Sequence, residues 1–117
     1  MKVVQVDSDE GSWDSFVEAT EEGTFYHRFR WKKIIANSFG HASYYFAAID
    51  EEGTWQGVLP LIHMHSRLFG NFLVSMPFVN YGGVLCVNHV AARGLVSQAG
   101  QLRLALNATH VELRHLG

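Results

Sequence analysis

Cysteine and proline are nearly missing from this 117-residue chain, which has one of the first and two of the second. A single thiol, Cys86, excludes an intramolecular disulfide and makes a reducing, cytoplasmic setting the simpler expectation. Long apolar runs are missing too: none approaches the roughly 18 residues that a membrane-spanning helix needs. The start, Met1 to Val6, leads into acidic residues, unlike a signal peptide. An excess of positive charge is also lacking, since the formal net charge is -2, and no broad basic stripe speaks for general nucleic-acid binding. What is present is apolar: 48% hydrophobic against 17% charged residues fits a folded domain and argues against disorder. One domain, residues 1–117, is expected, long enough to bury a real core.

The small net charge conceals an asymmetry. Acidic residues crowd the segment from Asp7 to Glu22, and Arg28, Arg30, Lys32 and Lys33 follow in one short basic run. Such tandem segments are either solvated helix faces or a local site for a phosphate or carboxylate, and both readings stay open.

Periodicity orders the elements. Val3 to Val6 reads as a strand, and Trp13, Phe16, Val17 and Thr20 recur at helical spacing with Ser12 placed to cap. Phe29, Trp31, Ile34, Ile35 and Phe39 predict a second helix closed by Gly40, with Trp31 in the core. Tyr44 to Ile49 and Trp55 to His65 read as strands around the turn Asp50-Glu-Glu-Gly53, with Pro60 marking an edge or a bulge because it cannot donate a ladder hydrogen bond. Strands follow at Phe72 to Met76 and Tyr81 to Val87. Asn88 then caps a third helix through Ala91, Leu95, Gln98, Leu102 and Leu106, weakened by Gly94 and Gly100, and Val111 with Leu113 marks a last strand. Helix-separated strands imply a parallel pair and the hairpins an antiparallel one, so the fold class is α/β (α+β) with a mixed central sheet flanked by helices.

Three stretches resemble a known family. Leu73-Val-Ser-Met-Pro-Phe-Val-Asn-Tyr-Gly-Gly83, read with Thr24-Phe-Tyr-His-Arg-Phe-Arg-Trp31 and Val111-Glu-Leu-Arg114, is similar to the amino-terminal part of the FemAB-related transferases. The motif spelling looks closer to bacterial members found beside exopolysaccharide and PEP-CTERM systems than to the classical bridge-forming enzymes. The resemblance implies an incomplete GNAT-like acyltransferase fold, with another helix and two strands still needed. It also implies aminoacyl or acyl transfer to an amine on a peptidoglycan or exopolysaccharide-linked precursor, with a fragment that does not complete the reaction alone. Aminoacyl-tRNA is the implied donor, through a part the chain lacks, and self-association through an exposed sheet edge is expected.

On this resemblance the substrate-binding candidates are His27, Arg28, Lys33, Asn80, Tyr81, Gly82 and Gly83. The basic side chains suit an anionic acceptor, the Asn80 amide and Tyr81 hydroxyl can orient it, and the paired glycines let a group approach the main chain. Which of Lys32 and Lys33 faces the groove is open, and no catalytic residue is assigned. GNAT-like folds usually hold the coenzyme A pyrophosphate on a glycine-bearing loop before the third helix. Leu85-Cys-Val-Asn-His-Val-Ala-Ala92 has no glycine there, so no cofactor is expected. His63 and His65 share one strand face at a spacing known from metal sites, yet two ligands do not make a site, and no metal is expected. Cys86, inside the apolar run Val84 to Val87, reads as a buried, inert thiol. The alternative to an enzyme is a non-catalytic GNAT-like module that binds or docks a partner.

Overall fold

In the computed structural model, residues 1–20, 29–32, 42–66, 70–75 and 84–113 are described. They form β1 (Lys2–Gln5), α1 (Glu10–Ala19), β2 (Ala42–Ile49), β3 (Trp55–Ser66), β4 (Gly70–Ser75), β5 (Leu85–Cys86), α2 (His89–Ala105) and β6 (Val111–Glu112). Arg30 to Lys32 are helical as well, and the rest of the predicted second helix lies outside the described residues.

Local chemistry sets the ends of these elements. The β2–β3 turn is built on Asp50, whose Oδ1 accepts from the Glu52 and Thr54 amides at 3.0 and 2.9 Å while Gly53 takes φ +85. Asp9 caps α1 in place of the expected Ser12. Its Oδ1 accepts from the Ser12 amide at 3.1 Å, so the helix begins earlier and sets a carboxylate against its positive end. Asn88 caps α2 as expected, accepting from the Ala91 amide at 2.8 Å.

The sheet order is β1-β2-β3-β4-β6, with β5 also paired to β3. All pairs are antiparallel except β4 with β6, which run parallel; α2 follows β5, and β5 pairs with β3 instead of β6. Alternation along β2 and β3 sends Tyr45, Ala47, Val58 and Ile62 to one face, where they pack with Trp13, Val17 and Phe29. Phe46, Ala48, Leu59 and Leu61 go to the other, against Ala91, Leu95 and Ala99 of α2. Helices therefore cover both faces, which is why the central strands read as nearly continuous apolar runs.

Pro60 sits in the middle of β3, a central strand, so it marks no sheet edge. The Tyr45 carbonyl, on the strand neighbouring Pro60, accepts from the Val6 amide of the β1 side at 2.7 Å. Tyr45 therefore points its main-chain groups away from β3, and Pro60, its Cα partner, points its own toward the β4 and β5 side. On that side the described pairs set Ser75 opposite Leu61 and Leu85 opposite Val58. The strand expected over Tyr81 to Val87 is confined, among described residues, to Leu85–Cys86.

Candidate functional site

All seven substrate-binding candidates, His27, Arg28, Lys33, Asn80, Tyr81, Gly82 and Gly83, lie outside the described residues. Their described neighbours are well fixed. Phe29, directly after Arg28, donates its amide to Asp14 Oδ1 at 2.9 Å. Its ring meets Trp13 and Tyr45 edge-on at centroid distances of 5.7 and 5.5 Å, and Trp13 also packs on Trp55 at 6.2 Å. This aromatic cluster joins α1 to β2 and β3. Trp31, expected in the core, is only partly buried and packs against the cluster's margin.

Lys32 turns toward the sheet. Its Nζ donates to Ser43 Oγ at 3.0 Å and stands 5.9 Å from the centre of the Tyr45 ring, a cation-π distance. Of the two lysines left open by the sequence, this one is engaged by β2. Burial pushes the Tyr45 phenol well above its ordinary pKa, and the nearby Asp14 carboxylate pushes it further the same way. Tyr45 therefore stays neutral and cannot serve as an anionic base near neutral pH. The ties of Asp14 and Lys32 to other elements carry no periodic signal, and sequence reading passed over both.

The other candidate segment is bounded by Ser75 and Val84. Its flanking strands are anchored on β3 at Leu61 and Val58, on either side of Pro60. Pro60 is the partner of Tyr45, and Tyr45 carries Phe29 on its ring. The described flanks of both motif segments thus reach the same level of the sheet, one strand apart.

The start of α2 tests whether a pyrophosphate could be held there. Asn88 Oδ1 already occupies the Ala91 amide, and its Nδ2 donates to Gln56 Oε1 at 2.9 Å. Gln56 in turn donates to Asp50 Oδ2 at 3.1 Å. The adjoining hollow is lined by Asp50, Glu51 and Glu52 together with Met1, Asn88 and Val90. A capped helix end beside three acidic side chains does not fit a coenzyme A pyrophosphate, because like charge opposes what the helix end would attract. Cys86 is half-buried, contrary to the buried thiol expected, because Val87 beside it is 57% exposed and the apolar run ends at the surface.

His63 and His65 stack at 5.6 Å with planes 23° apart. In-plane lone pairs of nearly parallel rings run side by side and do not converge on one ion. His63 Nε2 is instead bonded to Asn71 Oδ1. Among the described residues, no group of three or more His, Cys, Asp or Glu side chains could hold a metal ion. Nor is any described helix long and apolar enough to cross a membrane.

No protein-family profile matches the chain, and no curated protein matches it. Solved structures do. One described as a probable acetyltransferase superposes with a TM-score of 0.61 at 16% identity, over 95% of this chain and 77% of its own. A tetramutant of a Bacillus halodurans protein gives 0.56 at 13% identity, over 97% and 81%. At these identities the likeness speaks for architecture alone. The chain has a mixed α+β fold, a mixed sheet flanked by helices, similar to that of a probable acetyltransferase.

Proposed function

We propose that the chain supplies the GNAT-like part of an acyltransferase whose acyl acceptor is an anionic, amine-bearing cell-envelope precursor of the kind FemAB-related enzymes modify. The coarser part of this reading is supported by the likeness to a probable acetyltransferase over nearly the whole chain. The finer part rests on the motif resemblance. Its single structural support is that the described flanks of the basic segment and of the Asn80 to Gly83 segment reach the same level of the sheet, on β2 and β3 respectively.

Acyl transfer to an amine needs the amine oriented, a path for its proton, and donors for the tetrahedral oxyanion. On this reading Arg28 and Lys33 attract the acceptor's acidic groups, while Asn80 and Tyr81 orient it. Because the α2 start does not suit a pyrophosphate, the donor is one held by other means, and aminoacyl-tRNA fits. The test, in a full-length relative that carries the same motifs, is transfer of a labelled group to a nucleotide-linked muropeptide, with aminoacyl-tRNA and acetyl-coenzyme A offered separately. Transfer from the tRNA alone supports the reading. Transfer from acetyl-coenzyme A returns the protein to ordinary acetyltransferase chemistry, and acceptor binding without transfer from either donor favours a non-catalytic binding module.

A further inference from the structure

Asn71, the second residue of β4, uses every polar atom of its side chain. Its Nδ2 donates to the carbonyls of Leu106 and Asn107 at 3.2 and 3.1 Å, beyond the last helical hydrogen bond of α2. That fixes which way the amide faces, so Oδ1 is the atom turned to His63 Nε2. An amide oxygen only accepts, and the imidazole must therefore carry its hydrogen on Nε2. The Asn71 main-chain oxygen takes two more bonds, from the Thr109 amide at 2.7 Å and the Thr109 hydroxyl at 2.9 Å. One residue thus grips β3, the end of α2 and the approach to β6.

The same end carries the Arg103 guanidinium on the Ala108 carbonyl at 3.2 Å and the Phe72 ring stacked on His110 at 4.8 Å. Among the described residues, β6 pairs with β4 at two positions, Leu73 with Val111 and Val74 with Glu112, and the Leu73 amide donates to the His110 carbonyl at 3.0 Å. The turn before it uses Asn107 at φ +58, a conformation asparagine tolerates better than most residues. We infer that His63 and Asn71 form a strap fastening the end of α2 and the start of β6 to the middle of the sheet, so that residues 106–112 open and close as one unit. The unit is local because its bonds run to Asn71, to Leu73 and to the last turn of α2 and leave the β2–β3 pairing untouched. Its movement sets the width of the groove between α2 and β6, lined by Val96, Gly100, Arg103, Val111 and Leu113.

Native-state hydrogen exchange followed by NMR on the whole chain tests the strap. In the wild type, the amides of Asn107, Ala108, Thr109 and Leu73 should share one opening free energy, below that of Ala47 and Leu59. The His63 ring should show a protected Nε2 hydrogen that exchanges with the same opening. Asn71→Asp keeps an acceptor for His63 but faces two carbonyls with a carboxylate, and should speed the same four amides by about ten- to a hundredfold. His63→Ala removes one attachment and should speed that set by a smaller factor. Independent exchange of the four wild-type amides, a His63 protonated on Nδ1 when neutral, or equal acceleration of β2–β3 amides in either variant would overturn the strap.

Discussion

Tyr45 and Pro60 face each other across the central strands, and the pair ties the aromatic cluster to the middle of β3. Pro60 has no main-chain hydrogen to donate on the side where β3 pairs with β4 and β5. Replacing it with alanine puts a donor into a fully buried position and removes ring atoms that pack there. Pro60→Ala should cost about 1 to 3 kcal/mol of stability. Urea unfolding measures this, and a variant as stable as the wild type would mean that the new donor finds an acceptor.

Tyr45 gives the fold an alkaline weakness. Its folded pKa is raised above the ordinary phenol value of about 10, so the folded state favours the neutral phenol more than the unfolded chain does. The stability from this preference is fully present below about pH 10 and is lost as pH rises from there toward the folded pKa. Within that window the unfolding free energy should fall by up to about 1.4 kcal/mol per pH unit from this group. Tyr45→Phe should flatten the fall, measured as thermal midpoints between neutral and alkaline pH; an unchanged slope would point to other groups.

Gly57 is where β5 and α2 come closest to β3. A Cβ there would lie 3.0 Å from Cys86 Cβ and from Leu95 Cδ1, and 3.2 Å from the Leu85 carbonyl oxygen. The leucine tip can give way, but the Leu85 carbonyl and the Cys86 Cβ are held by the β5 pairing. Gly57→Ala should therefore cost about 1 to 3 kcal/mol and displace β5. Faster reaction of the Cys86 thiol with an aromatic disulfide reagent would report that displacement, and unchanged stability with unchanged reactivity would show that the neighbours adjust freely.

Legibility in the sequence follows the range of each interaction. The β2–β3 hairpin and the Asn88 cap were readable because apolar periodicity and turn chemistry are local; a parallel pair was readable too, but the partner of β6 in it is β4, not β5 beside the helix. The α1 cap was misplaced from Asp9 to Ser12 because both residues suit the role, and only the hydrogen bond from the Ser12 amide to Asp9 decides between them. Pro60 was legible as a residue that cannot donate, though not as one inside a central strand, since that depends on β3 pairing with both β2 and β4. The contacts of Asp14 with Phe29, Lys32 with Ser43, and Asn71 with Leu106 link residues that no periodicity relates. The binding candidates came from motif resemblance, and their described flanks are what connects them to this fold.

The central claim is an anionic acceptor held by the two motif segments, and calorimetric titration with a nucleotide-linked muropeptide, run in parallel with acetyl-coenzyme A, tests it most directly. The muropeptide should bind, and Arg28→Ala, Lys33→Ala and Tyr81→Phe should each weaken that binding by about 1 to 3 kcal/mol with folding intact. Acetyl-coenzyme A should give no appreciable heat. A micromolar dissociation constant for acetyl-coenzyme A, or muropeptide binding unchanged in all three variants, would contradict the claim.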